Sequence, residues 1–280
     1  MLSNVPFARQ SLCLRANLIT KIENLQDCRH LQELDLYDNQ IEQIEGLEGL
    51  PLTKLDLSFN SIRHISGLDS LTSLKDLYLC RNKIRVVCGL EKLEKLELLE
   101  LGNNRIREIP EDAFKSQLAN LKSLFLGRNK LTTVDAFPLF EQLEVFSLQA
   151  NRLTELASLK LPATMKELYL SENGLTQLES ATFLRTPHLQ ILDVASNQLK
   201  TITGIESLQE LEDLWMNSNG VAEWTEVDKL QKIPSLQTVY LEYNPVAKDP
   251  RYRSKMLLIL PNLKQIDALP TKGNAGLTFL

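Results

Sequence analysis

Apolar residues return along this chain in a fixed frame. In LELLELGNNRI, residues 96–106, leucine stands first, fourth and sixth, asparagine ninth and isoleucine eleventh. The spelling recurs along nearly the whole sequence. Its asparagines are Asn17, Asn39, Asn60, Asn82, Asn104, Asn129, Asn151, Asn173, Asn197, Asn219 and Asn244, most of them 22 residues apart. Leucines alternating over so short a stretch predict a half-buried strand, with the asparagine where the chain leaves it. A period near 22 leaves room on the return path for a short or 3-10 turn but not for a full helix. Segments such as IEQIEGLEGL (residues 41–50) and IRHISGLDSL (62–71) fit that return, and their Gly46 and Gly67 are expected to take positive φ.

This is the leucine-rich-repeat signature, and it predicts one elongated α/β solenoid. About eleven strands would build a parallel concave sheet roughly 50 Å long, with short 3-10 or helical convex returns. The frame asparagines are expected to satisfy backbone groups buried in the neighbouring loops. Residues 11–244 are assigned to the repeats. Two internal repeats run long, at EIPEDAFKSQLANL (108–121) and LESATFLRTPHL (178–189), and Phe114 and Phe183 are expected to fill the wider gaps.

Residues 245–269 are assigned to a C-terminal cap. Asp249 as N-cap and Pro250 in the first turn would start a helix whose Tyr252, Met256, Ile259 and Leu260 share one face. Pro261 would end it, and Leu263 and Ile266 would return to the core. Residues 1–10 are a short N-terminal segment, an incomplete cap offering Leu2, Val5 and Phe7, and residues 270–280 are expected to be a flexible tail.

Composition narrows the setting. A hydrophobic content of 43% suffices for a continuous core, and a net charge of -5 argues against non-specific attraction to nucleic acid or anionic lipid. Cys13, Cys28, Cys80 and Cys88 form no C-x-x-C pair and do not gather at the ends, so reduced thiols in the nucleus and cytoplasm are expected. MLSNVPFARQ holds no apolar run of signal-peptide length, and no apolar stretch of about 18 residues could span a bilayer. The expectation is a soluble intracellular protein, monomeric on its own.

The residue between the second and third leucines should point from the centre of the concave face. In order these are Cys13, Asp35, Asp56, Tyr78, Glu100, Phe125, Ser147, Tyr169, Asp193, Trp215 and Tyr240. Five of these eleven are aromatic in a chain only 6% aromatic, and core packing does not call for them because they face outward. Two places earlier stand Glu33, Lys54, Asp76, Leu98, Ser123, Val145, Glu167, Ile191, Asp213 and Thr238. The two columns together hold eight acids against the single base Lys54, which describes an acidic wall with exposed rings. Rings spread along a rigid sheet are protein-interface anchors.

Catalysis finds little support. His30, His64 and His188 lie outside these columns in different repeats, and none has a nucleophile arrangement or metal-ligand spacing around it. There is no Gly-rich phosphate loop, and acids placed one or two per rung are too dispersed to chelate. No cofactor or metal is expected. Cys80, a lone thiol near the concave edge, is expected to be inert.

With these residues in view, the chain resembles the 22-residue-repeat regulatory subunits of protein phosphatase-1, the regulatory subunit 7 family. The likeness runs over residues 11–269, through LQELDLYDNQI (31–41), LELLELGNNRIREI (96–109), LKSLFLGRNK (121–130) and LEDLWMNSN (211–219). Most specific is TVYLEYNPVAKDPRYRSKMLLILPNLKQIDA (238–268), similar to that family's C-terminal cap. The resemblance implies a non-catalytic subunit that grips the phosphatase-1 catalytic subunit with its concave face. It implies binding roles for Asp56, Tyr78, Glu100, Phe125, Asp213, Trp215 and Tyr240, with Tyr169 on the same stripe. Tyr78 stands where the family usually has phenylalanine, and the two longer repeats depart from its pattern. A short basic-Val-x-Phe docking motif is absent, which fits binding through a folded surface.

The resemblance therefore implies a scaffold that controls the activity or assembly of a phosphatase, with a third regulatory protein as a further expected partner. The alternative is an adaptor for another protein, like the spliceosomal A-prime subunit that cradles an RNA-binding domain.

Overall fold

The computed structural model describes residues 10–114 and 118–271. Each copy of the frame is a three-residue strand: β1 (Ser11–Cys13), β2 (Glu33–Asp35), β3 (Lys54–Asp56), β4 (Asp76–Tyr78), β5 (Leu98–Glu100), β6 (Ser123–Phe125), β7 (Val145–Ser147), β8 (Glu167–Tyr169), β9 (Ile191–Asp193), β10 (Asp213–Trp215) and β11 (Thr238–Tyr240). They pair in parallel and in chain order, each frame position beside its equivalent, as Leu77 beside Leu99 and Tyr78 beside Glu100. The middle residue of every strand is buried in one continuous core, from Leu12 through Leu99 and Phe146 to Val239. The residues on either side of it face out, as period-2 alternation requires.

The returns are as short as a 22-residue period dictates. Gly46 and Gly67 take φ of +68° and +70°, and in each a Cβ would stand 2.3 Å from a carbonyl oxygen of the preceding repeat, Ile22 or Ile44. Conformation and space both demand glycine there. Helical turns occur where repeats lengthen: α1 (Ser180–Phe183), and α2 (Trp224–Val227) running into a 3-10 turn at Asp228–Lys232. Phe183 and Phe114 are core fillers, 1% and 3% exposed. Phe114 packs 5.9 Å from Phe137 and 5.3 Å from Phe140, centroid to centroid.

The asparagine column ties each repeat to the one before it. In Asn104 the amide donates to Leu101 O at 3.0 Å and to Leu79 O at 2.9 Å, while Oδ1 accepts from the N–H of Ile84 at 3.0 Å. The same set recurs at Asn39, Asn60, Asn82, Asn129 and Asn151. Among the described residues the side chain of Asn17, in the first repeat, bonds only Leu14 O and Arg15 O, both its own. The residue before each frame asparagine is left-handed, with φ between 52° and 60°, even where it is Phe59 or Tyr243. Before every frame asparagine but the last, its N–H reaches the next repeat, as Phe59 N–H to Cys80 O at 2.8 Å. That bond holds a conformation bulky residues otherwise avoid.

The cap helix, α3 (Tyr252–Ile259), begins two residues later than the sequence suggests. Asp249 is not its N-cap. The carboxylate instead accepts from the N–H of Arg251 at 2.8 Å, Trp224 Nε1 at 3.2 Å and Lys255 Nζ at 2.5 Å, clasping the last repeat to the cap. Lys255 above all holds its pKa low. Met256 is fully buried, with Leu260, Leu263 and Ile266 beside it, and Tyr252 and Ile259 are partly buried against the core. A last parallel strand, β12 (Gln265–Ile266), pairs with β11 and turns back as antiparallel β13 (Leu269–Pro270). Asp267 in that turn accepts the N–H groups of Leu241 at 2.8 Å and Glu242 at 2.9 Å, closing the end of β11. Leu2, Val5 and Phe7, and the tail beyond residue 271, lie outside the described residues.

Candidate functional site

Parallel register sets one residue per strand in single file down the concave sheet. Asp56, Tyr78, Glu100 and Phe125 are direct neighbours on β3 to β6. Tyr169, Asp193, Trp215 and Tyr240 follow on β8 to β11, after Ser147. Asp213 stands beside this file at the first position of β10. All eight residues singled out in the sequence face out from the sheet and are half-buried, none of them in the core.

The upper file alternates acids with rings. Each acid leans on its own strand end: Asp56 Oδ1 accepts the N–H of Ser58 at 2.8 Å, and Glu100 Oε1 that of Gly102 at 2.6 Å. A Cβ at residue 102 would lie 2.6 Å from Glu100 Oε1, so a side chain there would push that carboxyl aside. Register places Glu100 between Tyr78 and Phe125, where burial pushes its pKa up to about 7, against the hydrogen bond from Gly102. Burial, helped by Glu100, also lifts the Cys80 thiol to about 11, so it stays protonated and a poor nucleophile. Lys54 Nζ lies 5.4 Å from the Tyr78 ring centroid.

Farther down, the rings meet. Tyr169 and Trp215 come within 6.3 Å although a strand separates them, and Trp215 makes an edge contact with Tyr240 at 6.3 Å. Between them Asp193 is 8% exposed, its pKa raised by desolvation, with Oδ1 accepting the N–H of Ala195 at 3.0 Å. The Trp215 indole N–H is buried without a hydrogen-bond partner, one of two such side-chain atoms among the described residues. Tyr169 donates to Glu167 at 2.8 Å, and Gln265 donates to Tyr240 at 2.6 Å. A hollow of about 430 Å³ opens beside this group, lined by Asp193, Trp215, Tyr240, Glu172 and Glu242 among others.

Sequence columns named Asp193 only as an acid of the wall, and they missed Glu172 and Glu242, which lie past the strands. They missed also a second ring pair, Tyr37 and Phe59 at 4.6 Å, flanked by Arg15 over Tyr37 and Arg81 over Phe59. The signal for that pair was the residues two and three places after the last residue of each strand. Among the described residues no His, Cys, Asp or Glu group is arranged to hold a metal ion, and no helix is long and apolar enough to cross a membrane.

The Leucine rich repeat family matches residues 94–153 and 163–221, and its two-copy form matches residues 10–49, together just over half of the chain. Human Protein phosphatase 1 regulatory subunit 7 is 56% identical over 45 residues, 16% of this chain and 12% of that protein. The Dictyostelium discoideum Protein phosphatase 1 regulatory subunit pprA is 40% identical over 77 residues, 28% of this chain and 23% of that protein. The matches thus span less than a quarter of these relatives' length. Among solved structures, the functional domain of InlJ from Listeria monocytogenes superposes with a TM-score of 0.73 at 21% identity, over 92% of this chain and 53% of that one. At that identity the likeness shows the fold alone. The repeat frame, the parallel sheet and these matches together make the chain a member of the leucine-rich-repeat family, related over part of its length to the regulatory subunit 7 proteins.

Proposed function

We propose that this protein is a non-catalytic regulatory subunit that binds the catalytic subunit of protein phosphatase 1 through its concave face and controls its activity or assembly. The names of its relatives supply the partner. The observation that carries the binding face is Glu100, a carboxyl desolvated between two rings with no cation beside it in an ion pair among the described residues. A partner's lysine or arginine placed there would gain a charge-assisted hydrogen bond in a site already stripped of water. Trp215, Phe125 and Tyr78 are the apolar anchors, and Asp56 and Asp213 the flanking acids. Tyr169 and Tyr240 extend the ring surface.

All four cysteines are free, which suits a reducing nuclear and cytoplasmic setting. Calorimetric titration of the purified catalytic subunit tests the reading. The double variant Trp215→Ala, Glu100→Ala is expected to abolish measurable binding, and undiminished binding would remove the site. A hydrolase or transferase activity of the purified chain, lost on one concave substitution, would overturn the non-catalytic role.

A further inference from the structure

Leaving the strand, each turn passes its asparagine and crosses one edge of the solenoid before reaching the convex side. Because repeats stack in register, residues at equal distances past the asparagine form columns along that edge. One place past it stand Lys83, Arg105, Lys130 and Arg152, and three places past it Arg63, Arg85 and Arg107. From the repeat of Asn60 to that of Asn151, these two columns hold seven bases and no acid, in a chain whose net charge is -5. None of the seven is in an ion pair among the described residues; Lys83 donates only to Ser61 Oγ, at 3.0 Å.

Four of them converge. Arg85, Arg105, Arg107 and Lys130, drawn from three successive repeats, line a hollow of about 440 Å³ with Val86 and Glu108. Val86 is 41% exposed, an apolar contact beside the cations. Like charges so grouped raise a local positive potential that the one acid of the hollow, Glu108, offsets only in part, and guanidinium forks match carboxylate oxygens in pairs.

We infer that this edge is a second docking site, separate from the concave face, that takes a short acidic segment of a protein partner. Its dimensions favour that occupant. Five repeats at about 4.8 Å span roughly 20 Å, the length of about six extended residues. Carboxylates border the strip on both sides, Asp56, Asp76 and Glu100 on the sheet and Glu108 and Glu155 toward the convex face. A long polyanion or a flat anionic surface would meet that repulsion, whereas a short extended segment lies between. The inference does not depend on the identity of the concave partner.

The test uses the full chain and a fluorescein-labelled peptide of about six glutamates, followed by anisotropy at low salt. Saturable binding is expected, weakened about tenfold or more by Arg85→Glu with Arg107→Glu. Both residues are exposed, so the thermal midpoint should hold. Arg29→Glu with Arg185→Glu makes the same change of net charge at exposed positions off both columns and should leave the peptide affinity as it was. The inference fails if the two double variants lose affinity equally, if the peptide does not saturate, or if a short oligothymidine or phosphatidylserine vesicles bind more tightly than the peptide.

Discussion

The asparagine column and the concave file run side by side through the same repeats, and both crowd polar groups on or under the sheet. They treat those groups in opposite ways. Asn104 is 7% exposed, and both polar atoms of its side chain have partners. One strand width away, Glu100 keeps a carboxyl whose pKa burial has raised to about 7, and Trp215 buries an indole N–H that bonds nothing. An unsatisfied buried group costs about 1–3 kcal/mol, so the column contributes stability while the file gives some of it up. Side-chain polarity is answered in the scaffold column and, at Trp215, left unanswered in the file proposed to bind a partner.

Substitutions should separate the two regions cleanly. The largest effect belongs to the file: Trp215→Ala or Glu100→Ala alone should each weaken phosphatase binding by about 2–4 kcal/mol in titration calorimetry, with the fold retained by circular dichroism. Glu100→Gln reverses the usual sign of a loss. A raised carboxyl pKa means the folded chain keeps a proton that the unfolded chain has already released. Stability therefore falls as pH climbs from the ordinary 4.5 to about 7. The neutral amide escapes that fall and still accepts from Gly102, so denaturant titration at pH 8 should find it more stable by up to about 3 kcal/mol. The same pKa predicts that a partner cation on Glu100 will expel a proton, so affinity should weaken as pH drops below about 7.

Asn104→Ala should do the opposite of Glu100→Gln, costing about 1–3 kcal/mol of stability while leaving binding alone. Asn17→Ala should move the thermal midpoint least, because Asn17 is exposed and, among the described residues, its side chain bonds only its own repeat. Equal losses at Asn17 and Asn104 would mean that the cross-repeat bonds are not what the column contributes.

Reading columns from the repeat frame found the strands, the outward file, the core fillers Phe114 and Phe183, and the buried face of the cap helix, because each depends on periodicity alone. It could not find which way a side chain leans. Tyr169 and Trp215 sit two strands apart, yet their rings come within 6.3 Å on either side of the buried Asp193. Nor could it foresee that Asp56 and Glu100 turn back on their own strand ends, since a carboxylate pointing outward spells the same whether free or bonded. Asp249 misled for a similar reason. Acid followed by proline is a helix-start signal, but Trp224, Lys255 and the Arg251 N–H had first claim on it.

The side-chain clamps of the asparagine column all reach in one direction, from a turn to its predecessor. Each turn is thus locked by the one that follows, and Asp267 serves as the final latch on β11. Unravelling has a preferred starting point in such an arrangement. Amide exchange should loosen the turns behind β11 in sequence once the latch is cut, like a seam undone from its last stitch.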